Sequence, residues 1–249
     1  MSGRAVLITG ASRGIGRAIA TEFAAAGDRV AVHHRASAGL AADLVANLPG
    51  SGHAVIQADL ADPEAVRAMV DAAADLLGGL DVLVNNAGVF TPHPITEVSY
   101  QDWQDQWRAT LGINLVGAAN VTWCAVQHMR GRGGRIINVS SRGAFRGEPN
   151  SPAYGASKAG LNALSQSLAR ALAPHGIAVS AVAPGFVATD MTNEHLKPPR
   201  GDEIRAQSPF GRVARPDEIA AAVVYLASPE AEWASGAILD LNGASYLRT

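Results

Sequence analysis

Seven short runs rich in β-branched residues recur along the chain, and longer alanine-rich stretches separate them. That alternation limits the fold more than any other feature. The runs are AVLIT (5–9), RVAVH (29–33), AVIQA (54–58), DVLVN (81–85), RIINV (135–139), AVSAV (178–182) and AILDL (237–241). They are almost continuously apolar, as strands covered on both faces are. A helical period fits 14–26, 38–48, 63–77, about 100–129, 152–173 and 216–227, with Gly27 and Gly176 as C-terminal stops. Strand–helix alternation requires right-handed crossovers. It predicts a doubly wound, Rossmann-like α/β fold: a parallel sheet of about seven strands with helices on both faces. The 249 residues carry no internal repeat and no long polar linker, which predicts a single domain over 1–249. The segment 186–215 mixes NEHLKPPRGDE with SPFGR and fits neither period, so it reads as a lid or substrate loop.

A formal net charge of -2 and the lack of a basic run argue against a nucleic-acid surface. One cysteine, Cys124, leaves no internal disulfide and fits a reducing compartment. The stretch MSGRAVLITG has too short an apolar run for a signal peptide, and no segment reads as the ~20 apolar residues of a membrane span. The expectation is a soluble, cytoplasmic protein.

Two motifs carry chemistry. TGASRGIG (9–16) joins the first strand to the first helix. Gly10, Gly14 and Gly16 allow a tight turn and let a diphosphate approach the helix N-terminus, so Gly10, Ser12, Arg13, Gly14, Ile15 and Gly16 are candidate cofactor contacts. The spacing is G-x-x-x-G-x-G rather than G-x-G-x-x-G. After the second strand the sequence reads HHRAS (33–37), with no acid for a ribose 2′-hydroxyl. Arg35 and Arg13 instead suit a 2′-phosphate, which predicts NADP(H). His33 and His34 point to opposite faces of a strand and make a poor metal pair; no metal site is expected. In SPAYGASKAG (151–160), Ser151 and Pro152 open a helix, and Tyr154 and Lys158 share one of its faces. An ammonium ~4 Å from a phenol contributes about 4 kcal/mol at an effective dielectric of ~20. That lowers the phenol's pKa from ~10 by up to about three units, towards the range of a general acid/base.

The glycine loop, NNAG at 85–88, Tyr154 with Lys158, and PG at 184–185, in that order, resemble the short-chain dehydrogenases/reductases over essentially the whole length. PGFVATDM (184–191) and DLNGASY (240–246) look most like the beta-ketoacyl carrier-protein reductase group. The resemblance implies further roles. Asp59 and Leu60 would contact the adenine, and Asn86, Ala87 and Gly88 would line the adenosine side. Pro184, Gly185, Val187 and Thr189 would border the nicotinamide, the last two at its carboxamide. Lys158 would also bind the nicotinamide ribose. Ser140 and Ser141 both follow the fifth strand, and matching the family pattern selects Ser141 to hold the substrate oxygen. Asn114, in GINLVG, would relay protons through water to Lys158.

The expected reaction is NADPH-dependent reduction of a ketone to a secondary alcohol, with Tyr154 as general acid. The substrate would be a small carbonyl compound, free or bound to a carrier protein. Phe90 to Pro94, 142–152 and 186–215 would form its pocket. Arg142 and Arg146 read either as anion contacts or as solvated loop charges. Arg130, Arg132 and Arg135 form a small basic cluster suited to an acidic carrier. His175 stands where carrier-protein reductases tend to have a cation, which weakens that assignment. Trp103, Trp107 and Trp123 read as helix packing or subunit interface. The alternatives are an NAD(P)-linked alcohol dehydrogenase running oxidatively and a non-catalytic NADP-binding regulator. The family also implies a homotetramer.

Overall fold

The computed structural model describes residues 3–193 and 196–248. All seven expected strands form: β1 (Ala5–Ile8), β2 (Arg29–His34), β3 (Ala54–Gln57), β4 (Val82–Asn85), β5 (Gly134–Val139), β6 (Ile177–Pro184) and β7 (Ile238–Leu241). They make one parallel sheet in the order β3-β2-β1-β4-β5-β6-β7. Alternation along β1 builds two cores. Val6 and Ile8 join Ile19, Phe23, Val32 and Val223 on one face; Ala5 and Leu7 join Val66, Val70, Val121 and Ile136 on the other. A strand buried on both faces reads as an unbroken apolar run for this reason.

The helices are α1 (Gly14–Ala25), α2 (Ala38–Asn47), α3 (Pro63–Leu77), α4 (Tyr100–Leu111), α5 (Ala118–Met129), a turn α6 (Gly143–Arg146), α7 (Pro152–Leu172), α8 (Arg200–Ala206) and α9 (Pro216–Leu226). Local chemistry sets their ends. Asp62 caps α3 by accepting from the Glu64 and Ala65 N–H groups, and Gly78 ends it at φ +72°. Gly27 and Gly176 take positive φ where the stops were expected.

Three findings differ from the sequence reading. The helix expected over 100–129 is continuous but contains a π-helical turn, Gly112–Gly117, between α4 and α5. By length and composition, Tyr100–Met129 is also apolar enough to cross a membrane, against the expectation of no such stretch. Its α5 part packs on α3 and β4. The segment 186–215 is less irregular than expected. It contains α8, and Phe186 and Ala188 pair with Ala214 so that its two ends meet. Glu194 and His195, in the same segment, lie outside the described residues.

Chain order positions the site. From β1 the chain winds outward to β3, then returns to β4 on the other side of β1. The loops leaving β1 and β4 therefore diverge, which opens a crevice at the carboxyl ends of these neighbouring strands.

Candidate active site

A cleft of about 340 Å³ occupies that crevice. Every residue expected to touch a cofactor lines it: the loop from Gly10 to Gly16 except Ala11, then Arg35, Asp59, Leu60, Asn86, Ala87, Gly88, Tyr154, Lys158, Pro184, Gly185, Val187 and Thr189. Ser141 lines it too, and Asn114 does not.

The glycine loop is held from below. Thr9 Oγ1 accepts from the N–H groups of Asn86 and Ala87, both at 3.0 Å. Asn86 Nδ2 donates to the Thr9 and Gly10 carbonyls at 2.9 and 3.0 Å. A Cβ on Gly16 would collide with the Gly10 carbonyl oxygen and the Asn86 amide, so only glycine lets helix α1 start this close to the loop. Sequence reasoning missed His33 as part of this support. Its Nδ1 accepts from the Gly10 N–H at 3.0 Å, and its Nε2 lies 3.1 Å from the Ala58 carbonyl. That pairing fixes a neutral ring with the proton on Nε2, and burial lowers its pKa to about 4. The signal was the strand alternation, which aims one of two adjacent histidines back over β1. His34 is also buried and lines the cleft, and its Nδ1 has no partner among the described residues. Arg13 and Arg35 are exposed on the cleft wall.

The far end of the cleft gathers Tyr154, Ser141 and Lys158. Helix α7 brings the first and last to one side. The Tyr154 hydroxyl and Ser141 share the end of the cleft, near enough for the Ser141 hydroxyl to favour the ionised phenol. Ser141 Oγ also accepts from the Gly143 N–H at 3.0 Å. Ser140 points elsewhere, with Oγ 3.3 Å from the Lys158 backbone carbonyl. Phe90 packs edge-on against the Tyr154 ring at 5.0 Å between centroids.

Lys158 is 3% exposed, and its Nζ donates to the Val139 carbonyl at 2.8 Å. It lies 5.8 Å from the Tyr154 ring centroid. The expected downward pull on the phenol is overturned. Burial pushes Tyr154 up to about 12, and the neighbouring Ser141 hydroxyl offsets only part of that. Burial also lowers Lys158 to about 8. Both charged forms lose hydration in the same enclosed space, and that loss is the largest cause of each shift.

Asn114 stands behind Gly88, in the π-helical turn. Its Oδ1 accepts from the Val89 N–H at 2.8 Å, and its Nδ2 donates to the Val89 carbonyl and Ser157 Oγ. Its side chain therefore clamps the strand leaving β4. Its Oδ1 and the Lys158 ammonium both come within 3.5 Å of the point where a Gly88 Cβ would sit.

The segments around Phe90–Pro94 and 142–152 do meet: the His93 N–H donates to the Asn150 carbonyl at 2.7 Å, and His93 Nε2 accepts from the Ala153 N–H at 3.2 Å. Trp103 stacks between His93 and Trp107, whereas Trp123 is largely exposed. The Arg130–Arg135 cluster is not a free basic patch. Arg132 pairs with Asp81, Arg135 pairs with Glu232, and Arg130 reaches Gln127. His175 is exposed, in a short turn after α7.

A family model described as enoyl-(acyl carrier protein) reductase matches residues 10–243. The chain is 39% identical over 247 residues to the 3-oxoacyl-(acyl-carrier-protein) reductase FabG of Staphylococcus aureus, covering 98% of each. It is 40% identical to the L-rhamnose 1-dehydrogenase (NAD(P)(+)) of Azotobacter vinelandii, covering 98% of this chain and 97% of that one. A short-chain dehydrogenase from Burkholderia cenocepacia J2315, solved in complex with NADP, superposes with a TM-score of 0.89 at 37% identity and 98% coverage of both chains. Sheet order, glycine loop and full-length similarity agree, and the chain belongs to the short-chain dehydrogenase/reductase family of oxidoreductases.

Proposed function

We propose that the protein is a cytoplasmic, single-domain reductase that converts a ketone to a secondary alcohol with NADPH. The observation that carries this reading is the gathering of Tyr154, Ser141 and Lys158 at one end of the cleft that the glycine loop lines. The cleft's chemistry supports the cofactor. Gly10 and Gly16 let the loop pack closely on Ala87 and Asn86, which sets the N-terminus of α1 at the cleft where a diphosphate would bind. Arg13 and Arg35, with the unpartnered His34 Nδ1, offer donors to a 2′-phosphate. When bound, the nicotinamide supplies the hydride.

The protein's own groups handle the oxygen and the proton. Ser141 holds the carbonyl oxygen and stabilises the charge that develops on it. Tyr154 gives that oxygen a proton. With a pKa near 12, Tyr154 is fully protonated at neutral pH, the state that reduction requires. Lys158 orients the nicotinamide ribose, and Asn114 holds the Gly88–Val89 backbone beside it while a water relays protons to the ammonium. Phe90 closes the pocket against the Tyr154 ring. The substrate is a small carbonyl compound, and a carrier-bound 3-oxoacyl group follows from the similarity to the staphylococcal reductase. Assembly as a homotetramer follows from family membership.

The rhamnose dehydrogenase relative, matched over nearly the whole chain, favours a second reading: oxidation of a sugar hydroxyl in the same site. Fluorescence titration of NADPH and NADH on the wild type and Arg35→Ala tests the cofactor. NADPH is expected to bind at least tenfold tighter, about 1.4 kcal/mol, and the variant to lose that margin. Equal binding of NADH would move the oxidative reading ahead. A ketone panel with NADPH then tests the reaction, and turnover of any ketone excludes a non-catalytic regulator.

A further inference from the structure

A second cavity, of about 320 Å³, adjoins the cleft. The chain alternates between the two spaces. Ser141, Gly185 and Val187 line the cleft, whereas Arg142 and Phe186 line the second cavity. Of the two sequence readings of Arg142, anion contact or solvated loop charge, the second does not hold: the residue is 3% exposed. Its backbone N–H donates to the Pro184 carbonyl at 2.8 Å, and its guanidinium lies 5.4 Å over the Phe186 ring.

This cation has no carboxylate in contact with it among the described residues. Among the described residues, its guanidinium makes one hydrogen bond, from Nη1 to Ser245 Oγ, and no carboxylate comes within 4 Å. Both acids on the cavity wall already pair with another arginine, although Asp240 Oδ1 is buried with no partner among the described residues. Glu218 accepts from Arg212 at 2.6 and 2.8 Å, and Asp240 accepts from Arg248 at 2.7 Å. Glu148, which also attracts Arg142, sits 3.9 Å from Arg146. Burial lowers Arg142 only to about 10, so it stays charged at neutral pH. A buried ion without a partner is strongly unfavourable, and a bound anion removes that penalty.

We infer that the second cavity binds a small carboxylate with an apolar body. The carboxylate takes guanidinium N–H groups of Arg142, a geometry that suits a planar fork. The body lies against Phe186, Val213, Ile219 and Leu241. A phosphate fits less well. The Ser208 hydroxyl and the Asn242 amide are committed to the Gly243 and Tyr246 carbonyls, so further phosphate oxygens would lack donors.

Calorimetric titration of the whole protein with hexanoate and with 1-hexanol tests this directly and does not depend on the reductase reading. Hexanoate is expected to bind at least tenfold more tightly than the alcohol, and Arg142→Met to lower its affinity at least tenfold. Tyr154→Phe, in the cleft, is expected to leave hexanoate binding unchanged. Equal binding of acid and alcohol, or full affinity in Arg142→Met, overturns the inference. So does lost affinity in Tyr154→Phe, because the acid would then occupy the cleft. If Arg142→Met lacks the wild-type far-UV spectrum, Phe210→Ala replaces it. That side chain is 74% exposed at the cavity, so its loss spares the fold. Hexanoate should then weaken severalfold, and unchanged affinity overturns the site.

Discussion

Ser140 and Ser141 are chemically identical neighbours, yet the structure gives them opposite consequences when each is cut to alanine. Ser141 lines the cleft beside Tyr154, and its Oγ is steadied by the Gly143 N–H. Under the proposed mechanism its removal deletes one donor to the developing oxyanion, an effect of about 10²–10³ in kcat, or ~3–4 kcal/mol. Its hydroxyl also favours the ionised phenol, so the phenol of Ser141→Ala titrates higher still and remains protonated. The loss in kcat therefore reflects oxyanion stabilisation and not a missing proton. Ser140 Oγ makes one long bond, 3.3 Å, to the Lys158 carbonyl. Its removal costs about 1 kcal/mol of stability and leaves kcat within a few-fold. Steady-state ketone reduction with NADPH, paired with urea unfolding of both variants, reads out the two effects separately. A hundredfold loss of kcat in Ser140→Ala with Ser141→Ala near wild type would refute the assignment.

Four further outcomes follow from the same geometry. Lys158 titrates near 8 in the folded protein against 10.5 in the open chain, about 3 kcal/mol at 1.36 per unit. The unfolded chain binds the extra proton between those values, so this residue makes stability rise with pH from about 8 to 10.5. Urea unfolding across that window should show the rise in wild type and lose it in Lys158→Met. Tyr154 acts oppositely between about 10 and 12, where the folded protein keeps a proton that the open chain has lost; Tyr154→Phe should remove that decline in stability. Gly16→Ala places a methyl against the Gly10 carbonyl and the Asn86 amide, and should weaken NADPH at least tenfold in a fluorescence titration. In the buried chain from Thr122 through Asn85 and Asn138 to Ser165, Asn138→Ala removes a donor and an acceptor at once, and should lower unfolding stability by about 2–3 kcal/mol.

What the sequence determined by itself was whatever depends on short-range periodicity. Strand boundaries agree with the apolar runs to within one or two residues because burial on both faces leaves no alternation to misread. Tyr154 and Lys158 share a face because they are four residues apart on a helix, and the glycine loop is local by construction. The π-helical turn at Gly112–Gly117 and the helix inside 186–215 were not legible, since no period announces either. Tertiary structure alone decided whatever depends on distant neighbours. Which serine meets Tyr154, which histidine braces Gly10, and whether Arg142 faces water or a cavity follow from strands brought together across the sheet. The Tyr154 phenol shows the reason most clearly. Its pairing with Lys158 could be read from spacing. The direction of its pKa shift depends on how much water the surrounding elements exclude, and that is a property of the packed molecule.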